Sequence, residues 1–117
     1  MATSPVIYHN PRCSKSRQTL ALLNDAQLEP RIVDYLKEGL AELEIRDLAT
    51  ALGCRLHELL RTKEAAYTKH DLNAQADDAQ ILSALLESPE LLERPIVITD
   101  QGARIGRPPE NIREILP

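Results

Sequence analysis

Apolar residues along this chain fall into short runs separated by polar and turn-forming stretches, and the period of the runs changes from segment to segment. Val6-Ile7-Tyr8 is a continuous β-forming run, the pattern of a buried strand. Ser16 to Ala26 follows as a helical stretch, with Leu20, Leu23 and Ala26 able to share one face. Between the two, Asn10-Pro11 marks a loop, because the residue before a proline is pushed out of the α region. Pro30 stops the helix. Arg31 to Leu36 alternates loosely and carries β-branched residues, which predicts a second strand. A strand, a helix of this length and a strand predict a right-handed crossover and a parallel pair.

Lys37-Glu38-Gly39 breaks the second strand. Leu40, Leu43, Leu48, Ala51 and Leu52 recur at helical spacing, which predicts a helix over 41–52 with Gly53 as its C-terminal cap. Leu56 to Leu60 reads as a short helix and Lys63 to Asp71 as irregular chain. Ala79 to Leu86 reads as a further helix, capped by Asp77 or Asp78 and ended by Pro89. This section is a helical insertion between strands 2 and 3. Arg94-Pro95 precedes the third strand, Ile96 to Thr99. Asp100-Gln101-Gly102 is a hairpin signal, and Ala103 to Gly106 returns antiparallel. Pro108-Pro109 opens a final helix, Glu110 to Leu116. The order predicts an α/β fold, a mixed four-stranded sheet with flanking helices, in one domain over 1–117.

Composition adds constraints. Phe and Trp are absent, so the core must be built from Leu, Ile, Val and Ala. A net charge of −4 argues against a protein that coats nucleic acid or anionic membrane, so local basic clusters are read as sites. No apolar run is long enough to span a bilayer, and Met1 to Pro5 leads into a strand without a signal-peptide pattern. The two cysteines have unlike contexts and do not make a disulfide framework. The expectation is a reducing cytoplasm, and a monomer, since no stripe of exposed apolar residues is apparent.

Candidate chemistry centres on Tyr8-His9-Asn10-Pro11-Arg12-Cys13-Ser14-Lys15-Ser16-Arg17. Cys13 falls where a strand ends and a helix begins. Unpartnered backbone N–H groups and the helix dipole there stabilise a thiolate, or an oxyanion bound beside it. Arg12, Lys15 and Arg17 add positive charge. A lone cysteine is also commonly a small buried hydrophobe; the polar and charged flanks make a poor core and favour the reactive reading. The pattern is Cys-x-x-Ser, so no resolving thiol lies one turn on, and a disulfide step needs an external thiol or Cys54.

The element order and this decapeptide, with Leu59-Leu60-Arg61, Arg94-Pro95-Ile96-Val97 and Gly106-Arg107-Pro108, resemble the ArsC family of glutaredoxin-coupled arsenate reductases over essentially the whole chain. The strings His9 to Arg17 and Ala103 to Glu110 resemble its YfgD-like branch. The resemblance implies a thioredoxin-like fold and a catalytic cysteine at Cys13. It implies oxyanion-binding arginines at Arg61, Arg94 and Arg107, and a cis peptide bond before Pro95. Arginine suits a tetrahedral oxyanion because its fork of donors matches paired oxygens. The implied reaction reduces arsenate to arsenite through a covalent Cys13–arsenic adduct, with glutathione as co-substrate and glutaredoxin as partner. No bound cofactor and no metal are implied. Ser14-Lys15-Ser16 stands where familiar members carry Gly-Thr-Ser, which changes size and charge beside the sulfur. Two other readings are a thiol oxidoreductase using glutathione on another substrate, and a binding module similar to the Spx-like regulators of RNA polymerase. Ser16 in place of a second cysteine counts against a redox switch of the latter kind.

Supporting residues carry paired readings. His9 either helps hold Cys13 as thiolate or is a strand-end histidine bonded to backbone. Ser16 either donates its hydroxyl to the Cys13 sulfur or faces the loop. Asn10 either bonds the turn or a substrate oxygen, and the turn is favoured. Arg12 and Lys15 either guide an anionic ligand or are solvated. Cys54 reads as structural, and His57 and His70 lack the spacing of a metal site.

Overall fold

The computed structural model describes residues 4–117. Two compact units are present, one formed by the chain up to Glu38 with Arg94–Pro117, the other by Gly39–Glu93. The first holds the sheet. Strands β1 (Val6–Tyr8), β2 (Arg31–Val33), β3 (Ile96–Thr99) and β4 (Gly102–Ile105) pair in the order β2-β1-β3-β4. β1 runs parallel to β2, with Ile7 opposite Ile32, and antiparallel to β3, with Ile7 opposite Val97. β3 and β4 form the antiparallel hairpin, Thr99 opposite Gly102. The sheet is mixed, as the element order predicts.

Helix α1 (Ser14–Asp25) links β1 to β2. Its Leu23 packs with Ile7, Val97, Ile112 and Ile115 in a fully buried aliphatic cluster, flanked by Leu20, Leu22, Leu28 and Leu116. Each such side chain contributes roughly 1.5–3 kcal/mol by leaving water. Ile112 and Ile115 come from the last segment, Pro109–Ile115, which is a 3₁₀ helix and not the α-helix its proline start predicts. The second strand is shorter than its alternation predicts. After Val33 the chain turns at Asp34, whose carbonyl accepts from the Lys37 and Glu38 N–H groups, and Tyr35–Glu38 becomes the short helix α2. Tyr35 is buried and its ring lies 6.4 Å from that of Tyr8, so packing of the aromatic overrides strand propensity.

The helical unit contains α3 (Glu42–Leu52), a 3₁₀ turn at Leu56–Leu59, α4 (Ala65–Lys69), α5 (Asp78–Glu87) and a 3₁₀ turn at Pro89–Leu91. Ile45, Leu48, Leu56, Leu59, Ile81 and Leu85 are its buried side chains of largest consequence, whereas Leu43 is 70% exposed although its spacing matches the helix pattern. Gly53 ends α3 at φ 67°; its N–H donates to the Thr50 carbonyl and that of Cys54 to Ala49, a Schellman closure. Asp77 is the cap of α5: its carboxylate accepts from the Gln80 N–H at 2.9 Å while Gln80 accepts from the Asp77 N–H at 3.0 Å. Helix α4 lies in the stretch that polarity alone marks as irregular. Among the described residues no helix is long and apolar enough to cross a membrane.

Candidate active site

Cys13 is the N-cap of α1, in extended conformation, and half-buried. The turn that delivers it is held by one main-chain bond and by the Asn10 and Arg17 side chains. The Cys13 N–H donates to the Asn10 carbonyl at 3.0 Å, the Arg12 N–H to Asn10 Oδ1 at 3.0 Å, and Arg17 Nη1 to the Pro11 carbonyl at 2.8 Å. Asn10 therefore takes the turn role. Arg17, read from sequence only as nearby charge, also braces the loop from one turn inside the helix.

Burial alone would push the Cys13 thiol up. The Ser16 main-chain N–H, a hydrogen bond from the Arg94 side chain, the Lys15 N–H and the charge of Arg107 outweigh it, and the thiol ends below its ordinary value. This is a helix N-terminus acting on sulfur through oriented N–H groups. The Arg107 guanidinium is itself positioned: Nε donates to the Arg94 carbonyl at 2.7 Å, and Nη2 donates to Cys13 Sγ at 3.4 Å. Asn111 Nδ2 in turn donates to the Arg107 carbonyl at 3.0 Å. Nothing in the spacing of the sequence marks Asn111, which is brought under Arg107 by the 3₁₀ turn.

The approach of Arg107 to α1 depends on Gly106. A Cβ there would lie 2.6 Å from Thr19 Oγ1 and 2.8 Å from Pro95 Cγ, closer than side chains pack. The Gly106 N–H donates to the Pro95 carbonyl at 2.8 Å. The Arg94–Pro95 peptide bond is cis, and so is Arg107–Pro108, which the sequence did not signal.

Ser16 is fully buried and serves differently from the hydroxyl donor to sulfur that its spacing predicts. Its hydroxyl oxygen accepts the Asn10 N–H at 3.0 Å and lies 2.7 Å from His9 Nδ1, while its main-chain N–H is the group that bonds Cys13. Burial lowers the His9 pKa, Asp34 pulls it back up and Arg17 opposes Asp34, with a net downward shift. The bond between His9 Nδ1 and the Ser16 hydroxyl ties the ring to α1. His9 thus bonds a side chain rather than backbone, and burial disfavours its charged form.

Arg61 belongs to the helical unit. It follows the Leu56–Leu59 turn, 3.5 Å from Glu64 and 3.2 Å from Glu93. The same unit has a cleft of about 460 Å³ lined in part by Cys54, Arg55 and His57. Its cations Arg46 and Arg55 are matched by Glu42 and Glu58, and burial followed by the Glu58 charge pushes the Cys54 thiol up. We therefore weight the chemistry toward Cys13. His57 bonds Tyr67 and His70 bonds Ser88, each through Nε2 at 2.9 Å, which gives both a structural role.

An activated thiol at the head of the first helix, on a sheet ordered β2-β1-β3-β4, marks a thioredoxin-like protein. The ArsC family model matches residues 8–115. The chain is 45% identical to the Escherichia coli protein YfgD, covering 94% of each chain, and 44% identical to an arsenate reductase of Haemophilus influenzae, covering 97% of this chain and 99% of that one. The structure of an arsenate reductase from Vibrio cholerae superposes with a TM-score of 0.93 at 43% identity, covering 99% of this chain and all of the other. This chain belongs to the ArsC family.

Proposed function

We propose that the protein is an arsenate reductase that uses Cys13 as nucleophile and glutathione with glutaredoxin as reductant. The observation that carries the reading is the guanidinium of Arg107 donating to a thiol already lowered by the start of α1. Donors arranged for a thiolate also suit the oxyanion that approaches it.

In the proposed reaction the Cys13 thiolate attacks As(V), forming an S–As bond as hydroxide, protonated to water, leaves. Arg94 and Arg107 neutralise the arsenate oxygens. Arg61 joins them on the strength of the family resemblance, and its part is tested by a rise in arsenate KM in Arg61→Ala. Glutathione adds to arsenic in place of a second hydroxyl. Glutaredoxin thiolate then attacks the glutathione sulfur. The As–S electron pair stays on arsenic, which becomes As(III), while the glutaredoxin–glutathione disulfide carries the oxidation away. Hydrolysis of the remaining S–As bond releases arsenite and Cys13. The external reductant accords with Ser16 at the place where a resolving cysteine would stand.

The test is arsenate turnover with glutathione and glutaredoxin for the native protein and Cys13→Ser. Turnover is expected only in the first; equal rates in both would remove the reaction from Cys13.

A further inference from the structure

A groove of about 320 Å³ lies in the sheet unit, lined by Asn10, Pro11, Arg12, Asp34, Leu36 and Lys37. We propose that this groove docks glutathione and presents its sulfur to Cys13; the inference rests on the reading of Cys13 as the reacting thiol. The size is at the lower end of small-molecule sites, roughly 300–1,000 Å³. One wall is the turn that carries Cys13, fixed by the Asn10–Arg12 and Arg17–Pro11 hydrogen bonds. The other is α2, held by the Asp34 carbonyl and by Glu38 Oε2, which accepts from the Asp34 N–H at 2.8 Å. Both walls are preformed, so little ordering is needed on binding.

The charges select the ligand. Glutathione at neutral pH carries two carboxylates, one ammonium and a short amide backbone. The groove offers two cations, Arg12 and Lys37, one carboxylate, Asp34, and an apolar floor of Pro11 and the 38%-exposed Leu36. Among the described residues neither Arg12 nor Lys37 has an ion-pair partner, whereas Arg46, Arg55, Arg61 and Arg104 are all paired. Unspent cations beside a carboxylate match a zwitterionic peptide better than a simple anion, which Asp34 would repel. Arg12 directly precedes Cys13, and the Asn10 carbonyl accepts the Cys13 N–H, so this wall is continuous with the turn that carries the sulfur.

The test needs no arsenate. Glutathione disulfide is attacked by the Cys13 thiolate: its S–S bond breaks, a Cys13–glutathione disulfide forms and one glutathione thiolate departs. The rate is compared with that of bis(2-hydroxyethyl) disulfide, which is uncharged. In Arg12→Glu/Lys37→Glu the preference for glutathione disulfide over the neutral disulfide is expected to fall about ten-fold or more. Lys37→Glu alone, at an exposed position of α2, is expected to give about a five-fold effect. In the native protein the preference for glutathione disulfide should shrink with added salt. Equal slowing of both disulfides, or no slowing, would overturn the proposal. A preserved preference in a protein that does not reduce arsenate would remove the proposed reaction and leave the docking site standing. Arsenate reduction without any preference would do the reverse.

Discussion

The two cysteines sit at opposite poles of two helices. Cys13 caps the start of α1, where N–H groups point at the sulfur; Cys54 follows the end of α3, beyond Gly53, where carbonyls collect. Both are half-buried, and burial pushes both thiols up. At Cys13 the Ser16 and Lys15 N–H groups, Arg94 and Arg107 reverse that push, whereas at Cys54 the neighbour is Glu58, which adds to it. Similar exposure with opposite outcomes means that thiol acidity here follows which end of a helix is adjacent and the sign of the nearest charge.

The largest break of this contrast comes from deleting each sulfur. Cys13→Ser is expected to reduce arsenate turnover to background, and Cys54→Ser to leave it within about two-fold, since removing a nucleophile costs orders of magnitude. Gly106→Ala comes next. The new methyl meets Thr19 and Pro95, so stability should fall by roughly 1–3 kcal/mol, read from the denaturant midpoint. Alkylation of Cys13 should slow as Arg107 is displaced, with Cys54 unaffected. Arg107→Ala removes one charge-assisted contact that is partly open to water, and should slow Cys13 alkylation near neutral pH by about ten-fold.

A smaller effect appears in pH profiles. The alkylation midpoint of Cys13 should fall below the ordinary thiol value of about 8.5, and that of Cys54 above it. Stability follows with opposite signs. The lowered Cys13 value contributes stability above the unfolded pKa, and this is lost as pH falls through the folded value. The raised Cys54 value contributes below the unfolded pKa and is lost as pH rises through the folded one. Cys13→Ser and Cys54→Ser should each remove one limb of that dependence, measured by urea midpoints across alkaline pH. Smallest of all, Glu58→Gln, at an exposed carboxylate, should bring the Cys54 midpoint down and leave Cys13 unchanged.

The contrast is partly legible in the sequence. Val6-Ile7-Tyr8 followed by Asn10-Pro11 places a loop and then a helix start at Cys13, and Gly53 places a helix end before Cys54, because these signals are local. The roles of Ser16 and Asn111 are not legible, since each depends on which partner the fold delivers. Ser16 at the third residue after Cys13 has the spacing for a hydroxyl–sulfur bond, yet His9 and the Asn10 N–H claim that hydroxyl first. Tyr35 misleads in the same way: the Arg31 to Leu36 alternation favours a strand, and the ring's burial beside Tyr8 ends it at Val33. At Arg61 the pairing with Glu64 could be read from adjacency, that with Glu93 only from the folded unit.

The Arg107–Cys13 contact joins residues 94 positions apart. On the ribosome, then, the sulfur emerges long before either guanidinium that lowers it, and the entire helical unit is translated in between. A nascent chain carries Cys13 without the two arginines, its acidity drawn only from the start of α1. The share supplied by Arg94 and Arg107 arrives only once the β3–β4 hairpin and the residues flanking it are in place.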